Sequence, residues 1–160
     1  MVDTLRTWML SYRCKPWLLN DERAGGNRGV GGHHGRARLT KEWRDAFAGL
    51  CLENRVPPLE WAHIEVLQLC RDGRRPDIGN CYPSVKAAVD GLVDACVIPD
   101  DKGEWVHSLN FAPPATVGYD ALVLRVSGPV ASKELRTQRE VELQAKMLRK
   151  LRRSAKRAVA

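Results

Sequence analysis

Between Trp61 and Phe111 the spacing of apolar residues changes twice, and that switch limits what the chain can build. Trp61 to Cys70 alternates, and Ile64, Val66, Leu67 and Leu69 predict a central strand. Ser84 to Ala95 then sets Val85, Ala88, Val89, Leu92 and Val93 at helical spacing, with Pro83 suited to the first turn. Trp105 to Phe111 returns to strand character.

The flanking segments extend this pattern. Leu5 to Arg13 predicts a strand with Trp8, Leu10 and Tyr12 on one side. Thr40 opens a helix carrying Trp43, Ala46, Phe47, Leu50 and Cys51, which Pro57 and Pro58 stop. Ala121 to Val126 adds a strand, and Gly128-Pro129 breaks the chain before a long helical tail. The order β-α-β-α-β-β-α predicts an α+β fold: one domain with a mixed β-sheet flanked by helices, plus a basic C-terminal helix. The boundary falls between residues 1–130 and 131–160.

Charge follows the same boundary. Residues up to Val130 carry 16 basic and 16 acidic side chains, so the net charge of +7 lies entirely in the tail. A basic tail on a neutral body is what a polyanion binder needs, and Arg149, Lys150, Arg152 and Arg153 are its candidate DNA contacts. A solvated helix with no partner would have the same composition. The Gly- and Arg-rich stretch Asn20 to Arg38 reads as a surface loop in which Arg23, Arg28, Arg36 and Arg38 can meet phosphate. It has neither a P-loop ending nor a GxGxxG register. His33 and His34 lie in the same stretch, a poor place for a rigid metal site. The five tryptophans are too dispersed to suggest a base-stacking platform and read as packing residues.

Other classes are disfavoured. No apolar run approaches the roughly 18 residues that span a bilayer, and Asp3, Arg6, Arg13 and Lys15 interrupt the N-terminus. No membrane partner is expected; the expected compartment is the cytoplasm, the host cell's if the chain is phage-encoded. Five cysteines without a CxxC pair predict reduced, mostly buried thiols and no structural zinc.

The densest carboxylate grouping brackets the second helix. Arg74-Arg75-Pro76-Asp77-Ile78-Gly79-Asn80 precedes it, and Pro99-Asp100-Asp101-Lys102-Gly103-Glu104 follows. Carboxylates in two loops beside cationic side chains can hold a hard cation that keeps positions for water and phosphate. Asp-Asp before a glycine is equally an ordinary turn.

These residues carry a resemblance. Asp77-x-x-Asn80, Lys86-Ala-Ala-x-Asp90-Gly-Leu-x-Asp94-Ala and Val97-Ile-Pro-Asp100-Asp101 resemble the core signature of RusA-like Holliday junction resolvases. Lys15-Pro16-Trp17-Leu18-Leu19-Asn20 and Arg75 also fit, and the likeness covers roughly Leu5 to Ser127. It implies a homodimeric, Mg²⁺-dependent endonuclease that nicks four-way and related branched DNA, with Mn²⁺ able to substitute and no small-molecule substrate. By position, Asp77 and Asp101 would be metal ligands, Asn80 would support the site, and Lys86 would contact phosphate or stabilise charge. Asp100 and Glu104 are further candidate ligands, Arg74 and Arg75 further DNA contacts, and Asp90 and Asp94 surface or capping positions.

Two positions depart from the family pattern. Gly79 stands at an acidic position, so Glu104 or Asp100 substitutes, the metal is held more loosely, or the site is damaged. Cys96 stands where a helix-ending glycine is usual, and a left-handed cap costs a non-glycine residue about 1 kcal/mol, so a different local turn is expected. A helix from Ser84 to Ala95 is about 18 Å long, which separates Asp77 from Asp101 unless the loops fold back or a second subunit completes the site. A non-catalytic branched-DNA or RNA-binding protein on the same scaffold is the alternative. A third reading is a basic structural protein whose tail docks on a partner.

Overall fold

A computed structural model describes residues 5–19, 31–73, 76–141 and 145. Among the described residues, five strands and two helices make up the body: β1 (Arg6–Tyr12), α1 (Gly31–Glu53), β2 (Ala62–Cys70), α2 (Tyr82–Asp94), β3 (Val106–Phe111), β4 (Ala115–Thr116) and β5 (Ala121–Gly128). The fold is α+β with a mixed sheet, as its sequence pattern predicts. The main sheet runs β1-β5-β2-β3, with β4 also paired to β2. β5 is antiparallel to both β1 and β2, whereas β3 runs parallel to β2. The parallel pair requires a crossover, and α2 provides it.

Alternation explains the layering. Leu10 on β1, Ile64 and Val66 on β2, and Leu122, Leu124 and Val126 on β5 are buried in one cluster with Trp43 and Phe47 of α1 and Val85 and Leu92 of α2. Both helices therefore cover one face of the sheet. Trp43 and Phe47 stack with centroids 6.2 Å apart, and the Tyr12 ring stands edge-on to Trp43 at 5.0 Å. All five cysteines are free thiols; Cys51, Cys70 and Cys81 are buried. Burial pushes the Cys51 thiol up to about 12 and Cys81 to about 11.

Helix α1 corrects one expectation. It begins at Gly31 instead of Thr40, so the second half of the expected loop is helical. Leu39, buried one turn before Trp43, extends the apolar stripe upstream. Packing that stripe outweighs the roughly 1 kcal/mol that each glycine costs in a helix. Arg36, Arg38 and His34 consequently lie exposed on a helix, while Arg23 and Arg28 lie outside the described residues.

The chain divides into two units, Met1–Val130 and Ala131–Ala160. In the second, residues 133–141 are helical, and the Ser132 hydroxyl accepts the Leu135 N–H at 3.1 Å as an N-cap. Arg149, Lys150, Arg152 and Arg153 lie outside the described residues. No described helix is long and apolar enough to cross a membrane.

Candidate active site

The site is built by the two ends of α2. Ahead of the helix, the Asn80 N–H donates to the Asp77 carbonyl at 3.1 Å, closing a tight turn with Gly79 at φ +84°. A positive φ at the third position of such a turn is the type II geometry, which glycine adopts without strain. Gly79 is thus the residue that this turn favours. The Tyr82 N–H then donates to the Gly79 carbonyl at 2.9 Å, and Pro83 sits in the first helical turn.

The Lys15–Leu19 segment is pinned to this entrance. The buried Ser84 hydroxyl accepts the Trp17 N–H and donates to the Trp17 carbonyl, both at 2.9 Å. The Leu19 N–H donates to the Asn80 carbonyl at 3.3 Å. Ser84 is therefore a positioning residue that the sequence pattern does not single out.

At the other end the chain turns sharply. Val97 N–H bonds to the Leu92 carbonyl and Cys96 N–H to the Val93 carbonyl, each at 3.0 Å, with Cys96 at φ +59°. This is a Schellman ending with Cys96 in the glycine position, closed by the apolar contact of buried Leu92 and Val97. The turn keeps the left-handed form despite its cysteine, contrary to the expected local difference. Leu59 N–H holds the Val97 carbonyl at 2.8 Å, directing the loop back along the helix.

That return brings Asp101 to Lys86. The Lys86 ammonium donates to Asp90 at 2.5 Å and lies 2.9 Å from an Asp101 oxygen. Lys86 stands eight residues before the helix ends, so the loop recovers about 12 Å of helical rise. The fold-back occurs within one chain. Burial alone would lower the Lys86 pKa, but the hydrogen bonds to Asp90 and Asp101 more than reverse this and hold the ammonium above its ordinary value.

The remaining carboxylates separate. Asp100 pairs with Lys102 at 2.8 Å and accepts the Asp101 N–H at 2.9 Å, contacts that hold it below the usual carboxylate range. Glu104 is exposed on the following turn, and Asp77 is exposed on the turn before the helix. Among the described residues no three His, Cys, Asp or Glu side chains group closely enough to hold a metal ion. The expected set of Asp77, Asp100, Asp101 and Glu104 is therefore not assembled, because Asp100 turns to Lys102 and Asp77 remains on the entrance turn. Asp90, read from sequence as a surface or capping position, is instead the second carboxylate on Lys86; its i,i+4 spacing is the signal that marks it. Asp94 accepts from Nε and Nη2 of Arg44, tying α2 to α1. Arg74 and Arg75 lie outside the described residues.

Compared with known proteins, the chain matches no family model, and no curated protein matches it.

Proposed function

We propose that the chain is a structure-selective, metal-dependent DNA endonuclease that nicks four-way (Holliday) junctions and related branched DNA as a homodimer. The observation that supports this reading is the Lys86 ammonium between Asp90 and Asp101, at positions where the sequence resembles RusA-like resolvases. A charged amine beside two carboxylates, partly exposed on a basic protein, suits a phosphodiester. Lys86 would bind a non-bridging phosphate oxygen and offset charge as it builds up.

Two carboxylate oxygens that share one ammonium lie within two hydrogen-bond lengths of each other. They fit a hard cation that takes one or two carboxylates and completes its shell with water and phosphate. Asp90 and Asp101 would hold Mg²⁺ or Mn²⁺. When bound, the cation would activate water and stabilise the departing oxygen. Asn80 would fix the turn that carries Asp77.

The test is cleavage of end-labelled four-way, forked and linear DNA with Mg²⁺ or Mn²⁺. Paired nicks confined to branched DNA, lost in Asp101→Asn while junction binding persists, are the expected result. Equal cutting by Asp101→Asn would remove the catalytic assignment. The second reading, a non-catalytic branched-DNA or RNA-binding protein, is favoured by Gly79, which adds no second carboxylate to the turn that begins at Asp77. It predicts tight, salt-sensitive binding without nicks in either metal.

A further inference from the structure

The sheet face turned away from the helices carries groups that the cleavage reading does not use. A cavity of about 330 Å³ opens there, lined by His63, Glu65, Ser108, Asn110, Arg125 and Ser127. Pairing of β2 with β3 shifts by one residue: Ala62 faces Val106, but His63 faces Ser108. His107 is therefore an extra residue on β3, the kind of irregularity that re-aims a side chain. Its ring stacks on Trp61 with centroids 4.6 Å apart and planes 15° from parallel. His63 stands edge-on to Trp61 at 4.9 Å, and its Nδ1 is 2.7 Å from the Ser108 hydroxyl. In the next row Arg125 pairs with Glu65, and Asn110 faces Glu65 across the strands. An aromatic cluster thus borders a charge-balanced set of donors and acceptors.

We infer that this cavity takes an unstacked base of a single-stranded nucleic acid. A base offers a flat π-face for the rings and an edge of mixed donors and acceptors for Asn110, Ser127 and the Arg125–Glu65 pair. Stacking on exposed aromatic rings of a sheet is a general way of holding single strands. The chain's net charge of +7, although carried by the tail and not by the cavity's own lining, favours a polyanionic ligand over a neutral glycan stacked on the same indole. The inference does not rest on the cleavage reading, because Lys86 belongs to the helical layer on the opposite face.

Binding of fluorescently labelled single strands of about eight nucleotides to the full-length protein in EDTA tests it, comparing thymine strands with the same backbone made abasic. The thymine strand is expected to bind about tenfold tighter. Asn110→Ala and Trp61→Ala should erase that preference while leaving the weak, salt-sensitive binding of both strands. If Trp61→Ala does not fold, His107→Ala replaces it. Equal affinity for both strands, a preference that survives in the variants, or displacement by neutral oligosaccharides would each overturn the inference.

Discussion

A Cβ built on Gly91 would lie 2.6 Å from the carbonyl oxygen of Arg44, so at this point α2 meets the backbone of α1 with no room for a side chain. The nearest atoms also include the Ala48 nitrogen at 3.0 Å, which cannot move aside as a flexible side chain would. Gly91→Ala gains about 1 kcal/mol of helix propensity but forces apart two packed backbones, which costs about 1–3 kcal/mol. The second effect wins. Urea denaturation should show a net loss of up to about 2 kcal/mol, and an unchanged midpoint would mean the helices do not approach this closely.

Cys96 presents the reverse case. Its φ of +59° is strained for a side chain, and glycine relieves that strain. Cys96→Gly should stabilise the protein by about 1 kcal/mol with an unchanged denaturant slope. Loss of stability would show that the Schellman turn depends on the thiol.

Thiol reactivity should divide the five cysteines. Cys96 is exposed, while burial holds Cys51 and Cys81 at about 12 and about 11. Partial burial and the nearby Asp94 also push the Cys96 thiol up, but its exposure leaves it open to a disulfide reagent at pH 8, which should modify Cys96 in the native protein and reach Cys51 and Cys81 only after unfolding. Mapping the modified peptides before and after adding denaturant checks this; rapid modification of Cys51 in the native protein would contradict its burial.

Gly79 can be tested by placing a carboxylate there. Nothing lies within 4 Å of a Cβ there, so Gly79→Asp should fit sterically yet lose about 1 kcal/mol through its φ of +84°. If the proposed site extends to this turn, cleavage at low Mg²⁺ should rise in the variant. Unchanged metal dependence would exclude this corner from the site.

Removing the tail separates charge from fold. A chain ending at Val130 loses the whole +7 and should bind every DNA shape more weakly, with a flatter salt dependence. Affinity for a junction that does not change on truncation would assign the tail to another role.

The sequence was most informative where one period dominated. Alternation at Ile64 and Val66, and helical spacing from Val85 to Leu92, marked β2 and α2 within two residues of their ends. The start of α1 was hidden, because Gly31, Gly32 and Gly35 have low helix propensity and only Leu39 and Trp43 reveal the stripe that overrides them. Asp101 and Lys86 were legible as residue types but not as neighbours, since their approach depends on a turn at Cys96 and one hydrogen bond from Leu59. The Trp61–His63–His107 group was invisible because a one-residue shift between paired strands leaves no mark in either strand alone.

The pairing of β1 with β5 also bears on how the chain is made. Thr7 and Ser127 share a hydroxyl–hydroxyl hydrogen bond of 2.9 Å across 120 positions, and seven consecutive pairs join the two strands. At about 5–20 residues per second, the ribosome needs on the order of ten seconds to deliver the partner that β1 requires. During that interval the first strand has no sheet to join. The body therefore closes from its last strand, and a stalled or shortened message ending before Ala121 would leave Arg6–Tyr12 as an unpaired edge open to other chains.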